Sequence, residues 1–179
     1  MKMLYVRHGK SKANASLTIG QPDTPLDDEG LEQARNTGRD LRSQNVTAIV
    51  CSPFIRAQQT AEIIAAELGI PVQDITIIDE LHERRMGELE GGPKNQETAF
   101  FYENDTQFGF ESQADLIARL EIALARVKKL ANQTAGATVI VGHATSGFYF
   151  LQIAKGCKRF ADFDPVSQMD NAEFIEVKS

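Results

Sequence analysis

The chain is poor in cysteine, in long apolar runs and in net positive charge, and each shortage closes off a class of protein. Two cysteines in 179 residues cannot staple a small extracellular scaffold. Cys51 closes an apolar run and Cys157 lies near the end of the chain, so both are expected as free thiols rather than as a disulfide or a metal pair. No stretch approaches the roughly 18 consecutive apolar residues of a membrane span. Lys and Arg number 19 against 25 Asp and Glu, a formal net charge of −6, which argues against bulk binding to nucleic acid or to an anionic membrane. Three nucleotide and hydrolase signatures are also missing: Gly-x-x-x-x-Gly-Lys-Ser/Thr, Gly-x-Gly-x-x-Gly behind a strand, and Gly-x-Ser-x-Gly. Gly142-His143-Ala144-Thr145-Ser146-Gly147 has the wrong spacing for the last of these. Three histidines without His-x-x-x-His or Cys-x-x-Cys spacing leave no zinc signature. No cofactor is expected. Repeats, linkers and low-complexity tracts are absent, so the reading is one domain over residues 1–179. The candidate residues begin too near Met1 to leave room for a cleavable signal, which gives the expectation of a cytoplasmic protein.

What is present is alternation. At 42% hydrophobic and 25% charged residues, the chain has material for one good core. Strand-like runs alternate with helix-like ones, the pattern of an α/β sandwich around a mostly parallel sheet. Met3–Val6, Ala48–Cys51, Ile75–Ile78 and Thr138–Val141 read as core strands, and the alternation in Glu173–Val177 reads as a half-exposed edge strand. Leu31, Ala34, Gly38 and Leu41 fall at helical spacing behind Asp27 as N-cap. Ser52 as N-cap and Pro53 at the first helical position would open a second helix, with Ala57, Ala61, Ile64, Ala65 and Leu68 on its buried stripe and Gly69 and Pro71 stopping it. A long helix starts at Ser112 with Asp115 three residues on, burying Leu116, Ile117, Leu120, Ala123, Leu124, Val127 and Leu130. Another runs through Phe148, Leu151 and Ile153. Between them, Met86 to Glu111 carries glycines, polar residues and the aromatics Phe100, Phe101, Tyr102, Phe108 and Phe110. A stretch this long suggests a lid over a substrate, with a short helix and a loose connection as the plainer alternative. An aromatic cluster around Phe100 would be a candidate homodimer contact, and packing within the lid the simpler account.

The chemistry collects at the strand ends. The first run ends in Arg7-His8-Gly9 and the fourth in Gly142-His143. Ligands of an open parallel sheet bind outside the carboxyl ends of its strands, so both histidines belong to one edge. Arg56, in the first turn of the helix after the second strand, brings another guanidinium to that edge, where helix N–H groups already favour an anion. A neutral imidazole attacks phosphorus when one ring nitrogen gives its proton to a fixed acceptor and the other faces the phosphoryl group. Cationic donors must then hold the phosphoryl oxygens, and Arg7, Arg56 and His143 are suitable. The leaving oxygen needs an acid, and the charged stretch Glu80 to Gly87 offers Glu80 and Glu83.

These residues carry a resemblance. Arg7-His8-Gly9 with Ser11 and Asn14, Asp23-Thr24-Pro25-Leu26, Gly30 with Gln33-Ala34, Ser52-Pro53 with Arg56-Ala57 and Gln59-Thr60, Leu81 to Gly91, Glu111-Ser112 and Val141-Gly142-His143 occur in one order along nearly the whole chain. In this series the chain resembles the histidine phosphatase superfamily, in its phosphoglycerate mutase-like branch. The resemblance implies a three-layer α/β/α sandwich with a mostly parallel sheet and an antiparallel edge strand. It implies that His8 is phosphorylated in a two-step, metal-free reaction, that Arg7, Arg56 and His143 hold the phosphoryl oxygens, and that Asn14 makes a further contact. Glu83 aligns with the family's general acid and base, with Glu80 as the alternative. His82 has no assigned role and is taken as structural. Arg84 and Arg85 are either substrate contacts or a solvated charged face. The implied substrate is a phosphorylated small molecule or a phosphoprotein; phosphoryl transfer of the mutase type and a catalytically weak phosphate-binding module are the other readings. Two positions depart from the pattern. Lys10 replaces the usual Glu or Gln and would either add attraction for a phosphate or another acidic group of the substrate or stand as a solvent-facing replacement, and Ala144 replaces a common Gly that allows close approach to a ligand.

Overall fold

Successive strand residues point to opposite faces of a sheet, and the sheet in the computed structural model uses both faces. The structure describes residues 1–94, 108–163 and 169–178. Strands β1 (Lys2–Arg7), β2 (Val46–Cys51), β3 (Thr76–Ile77), β4 (Ala137–Gly142) and β5 (Phe174–Glu176) lie in the order β3-β2-β4-β1-β5. Every pairing is parallel except that of β5 with β1. Met3, Tyr5, Val50 and Ile140 pack on one side of the sheet, and Leu4, Val6, Ile49, Val139 and Val141 on the other. Burial of both faces is why β1 and β4 read as unbroken apolar runs.

Among the described residues there are five α-helices: α1 (Lys12–Ala15), α2 (Asp28–Asp40), α3 (Ile55–Leu68), α4 (Gln113–Ala131) and α5 (Thr145–Ala154). Ala57, Ala61, Ile64 and Ala65 of α3 join the Leu4 and Val6 side, with α2 close against α3 at Gly38, where a Cβ would come within 2.7 Å of Glu67. Leu116, Leu120, Ala123 and Val127 of α4 and Tyr149 and Phe150 of α5 join the Met3 and Tyr5 side. Full burial of one such side chain contributes about 1.5–3 kcal/mol. The three-layer sandwich with its antiparallel edge strand is therefore as the sequence implied.

Local signals hold in most places. Asp27 caps α2 by accepting from the Gly30 N–H at 2.7 Å, Ser112 caps α4 through the Asp115 N–H, and Gly69 ends α3 at φ +70°. Three details differ. Helix α3 begins at Ile55 with Phe54 as an N-cap that makes no side-chain bond; Ser52 stands two residues earlier, where its hydroxyl accepts the Phe54 N–H and bonds His143. The third strand pairs only at Thr76 and Ile77, after which the chain turns into a short 3-10 helix at Asp79–Leu81. A single turn, α1, capped by Ser11, stands between β1 and α2, where the sequence showed no helical pattern. Of the expected lid, Phe100, Phe101 and Tyr102 lie outside the described residues. Its two ends are tied together: the Glu88 N–H donates to the Phe108 carbonyl at 2.9 Å, and Met86, Phe110 and Ile19 form a small apolar cluster.

The topology makes the crevice. The chain leaving β1 returns through α2 on one face of the sheet, whereas the chain leaving neighbouring β4 enters α5 on the other. Such divergence opens a cleft outside the carboxyl ends of the two strands.

Candidate active site

The parallel register sets Arg7 opposite Gly142, so the next residues out are His8 and His143. Their rings lie 5.2 Å apart, edge to face, close to the spacing of adjacent strands. His8 is buried, and its Nδ1 lies 2.6 Å from the Gly9 carbonyl while its Nε2 faces Arg56 Nε at 3.2 Å. A carbonyl only accepts and a guanidinium only donates. Nδ1 therefore carries the proton and Nε2 the free pair. Burial, and then the charge of Arg56, push the His8 pKa well below its ordinary value, so the ring is neutral. His143 is fully buried and shifted the same way for the same reasons. Its Nε2 bonds the Ser52 hydroxyl at 2.7 Å, and its Nδ1 has no partner among the described residues.

A cleft of about 530 Å³ opens above the His8 ring; His143, fully buried against that ring, is not among the lining residues. Arg7, His8, Asn14, Arg56, Glu83 and Ala144 line it, together with Arg84, Lys94 and Thr145 and the apolar Ala13, Leu17, Ile19 and Met86. Arg56 is held by the Gln21 carbonyl at 2.7 Å and lies 5.1 Å over the Phe54 ring. Arg7 donates through Nη1 to the Met169 carbonyl, and its buried Nε is unpaired among the described residues. Asn14 takes the Ser11 N–H and hydroxyl on its side-chain oxygen, which turns its amide toward other partners. Among the described lining residues four cations, Arg7, Arg56, Arg84 and Lys94, face one carboxylate, Glu83. An acidic protein thus has a cationic cleft.

Glu83 reaches that cleft from the loop after β3. One carboxylate oxygen accepts from the N–H groups of Arg84 at 2.8 Å and Ser146 at 2.7 Å, and the other from Thr145 at 3.1 Å. Glu80 is elsewhere: it pairs with Arg126 at 2.6 Å and is not among the lining residues. Lys10 also points away, paired with Glu29 at 2.5 Å, so its charge does not meet the cleft. Arg85 pairs with Glu90, whereas Arg84 is buried and lines the cleft. Ala144 sits at φ −77° and ψ −60°, a right-handed conformation in which alanine is unstrained. His82 stacks on Phe54 with ring centres 5.8 Å apart and bonds the Glu83 carbonyl, a structural place as expected.

The family model for the histidine phosphatase superfamily, branch 1, matches residues 3–178. The chain belongs to that superfamily. Among curated relatives, the chain is 35% identical over 125 residues to the uncharacterized phosphatase PhoE of Bacillus subtilis, covering 69% of this chain and 63% of that one. It is 37% identical over 144 residues to the probable phosphoglycerate mutase GpmB of Salmonella paratyphi A, covering 73% and 64%. The chain thus spans less than two thirds of the length of these relatives. Among solved structures, a mycobacterial glucosyl-3-phosphoglycerate phosphatase superposes with a TM-score of 0.83 at 23% identity, over 98% of this chain and 90% of the other. YhfR of Bacillus stearothermophilus gives 0.79 at 24% identity, over 98% and 89%. At such identities the structures speak for the fold.

Several contacts at the site escaped the sequence reading. Ser52 was assigned to helix capping but holds His143. Thr60 receives the Gly9 N–H at 3.1 Å, and Asn171 donates to the His8 carbonyl at 3.0 Å; together they steady the loop that carries His8. Lys94 reaches the cleft because a short backbone pairing ties Leu17–Ile19 to residues 91–94. No local pattern reveals these contacts, since each partner is distant in sequence.

Proposed function

We propose that this protein is a phosphatase that hydrolyses phosphomonoesters of small molecules, or of a phosphoprotein, through a phosphohistidine on His8 and without a metal ion. The observation that carries this reading is the fixed tautomer of His8, whose Nε2 electron pair stands between guanidinium groups in the cleft. When a phosphomonoester enters, Arg56 exchanges its bond to Nε2 for a phosphoryl oxygen. Nε2 attacks phosphorus, the phosphorus–ester oxygen bond breaks, and Glu83 as general acid delivers a proton to the leaving oxygen. Arg7, Arg56, Asn14 and the Nδ1–H of His143 hold the three phosphoryl oxygens, where charge stabilisation does most of the work. Water then attacks phosphorus as Glu83 takes its proton, the phosphorus–nitrogen bond breaks, and phosphate leaves His8 with its free pair restored.

The test is release of phosphate from p-nitrophenyl phosphate with a chelator present. Turnover is expected in the wild type. It should fall by several orders of magnitude in His8→Ala and by about 10²–10⁴ in Glu83→Gln. Turnover that persists in His8→Ala, or that stops with the chelator and returns with a metal, overturns the mechanism. Transfer to an alcohol acceptor with no phosphate released would instead establish the mutase reading.

A further inference from the structure

Tyr5 takes no part in the chemistry described so far, although it stands two residues before Arg7 in β1. Its side chain is 1% exposed and its hydroxyl reaches the end of β4. The hydroxyl accepts the backbone N–H of His143 at 2.9 Å and donates to the His143 carbonyl at 3.3 Å. The ladder between β1 and β4 ends with Arg7 and Gly142, so the peptide of His143 has lost the sheet as a partner while the residue stays fully buried. A buried N–H needs an acceptor, and the phenol oxygen supplies it. Two glycines make the room. A Cβ on Gly142 would lie 2.0 Å from the Tyr5 oxygen, and one on Gly147 would lie 2.7 Å from it. Residues from β1, β4 and α5 are thus shaped around one hydroxyl.

We propose that Tyr5 is the positioning residue that holds His143 in its working pose. The inference rests on the reading that His143 binds a phosphoryl oxygen. Ser52 fixes the ring at Nε2 and Tyr5 fixes the main chain beneath it, so Nδ1 is the one polar atom of the ring left for a ligand. Phenylalanine at position 5 fills the same space without the oxygen. The His143 N–H then has to move to find a partner, and the ring moves with it.

The experiment compares Tyr5→Phe, His143→Ala and the double variant on p-nitrophenyl phosphate, together with hydrogen exchange at the His143 amide. Tyr5→Phe should lower kcat about ten- to a hundredfold, the scale of a small misplacement of a reacting group, with KM changed by less than about twofold. On the His143→Ala background the same change should cost nothing more, because the two act as a unit. The His143 amide should exchange faster in Tyr5→Phe while the Val141 amide stays protected. Ile64→Val, a truncation on the opposite side of the sheet, controls for lost stability and should leave kcat unchanged. A Tyr5→Phe kcat equal to wild type, or a loss that adds in full to that of His143→Ala, overturns the proposal. If the wild type itself releases no phosphate, the functional reading fails, and unchanged exchange at the His143 amide then overturns the clamp separately.

Discussion

At the scale of single residues, His143 depends on what grips its ring. The Ser52 hydroxyl accepts the Phe54 N–H at 3.3 Å and can give its own proton to Nε2; in that arrangement the imidazole proton sits on Nδ1, where a phosphoryl oxygen would need it. Removing the hydroxyl leaves a buried ring nitrogen unpaired, at about 1–2 kcal/mol, so Ser52→Ala should lower kcat/KM about five- to thirtyfold. Steady-state kinetics decide the point, and an unchanged kcat/KM would remove Ser52 from the account. Arg7, His8, Arg56 and His143 were legible because each follows a strand end or opens a helix. Ser52 was not, since its partner lies 91 residues away and its neighbourhood also spells an N-cap. Lys10 misled for the same reason: its charge shows in the sequence, and its pairing with Glu29 does not.

At the scale of elements, α5 and the loop after β3 depend on each other. Helix α5 begins behind Ala144, which has no side chain able to cap it, and the carboxylate of Glu83 receives the first two N–H groups instead. A lost cap costs about 0.5–2 kcal/mol. Glu83→Ala should therefore lower the urea midpoint as well as activity, whereas Glu83→Gln, which keeps an acceptor oxygen, should recover most of the stability and little of the activity. Equal midpoints for wild type and Glu83→Ala would show that α5 does not need this cap. The apolar stripes of α3 and α4 could be read from spacing alone. The extent of β3 could not, because its two-residue ladder is decided by β2.

At the scale of the whole molecule, the three histidines behave alike. Burial lowers the pKa of His8, His82 and His143. Below about pH 6.5, the ordinary value, the unfolded chain takes up protons that the folded chain refuses. Stability present above that pH is then lost as pH falls, by up to about 1.4 kcal/mol per pH unit for each fully buried ring, until the folded pKa is reached. Urea midpoints should fall between pH 7 and pH 5, with a shallower slope in His143→Ala; a flat profile would mean that the rings do protonate in place. Free thiols are part of the same picture: burial pushes the Cys51 thiol up to about 12, which leaves it unreactive. Among the described residues, no helix is long and apolar enough to cross a membrane.

The sequence by itself determined the layers, the parallel strands, most helix ends and the identity of the residues at the strand ends. These follow from period, caps and breakers, which act over a few residues. The tertiary structure alone decided which nitrogen of His8 is free, that Glu83 rather than Glu80 enters the cleft, that Lys10 turns away, and that Tyr5 and Ser52 converge on His143. Those outcomes depend on donors and acceptors far apart in the chain, and they become neighbours only when β1 and β4 pair and their outgoing helices part to opposite faces of the sheet.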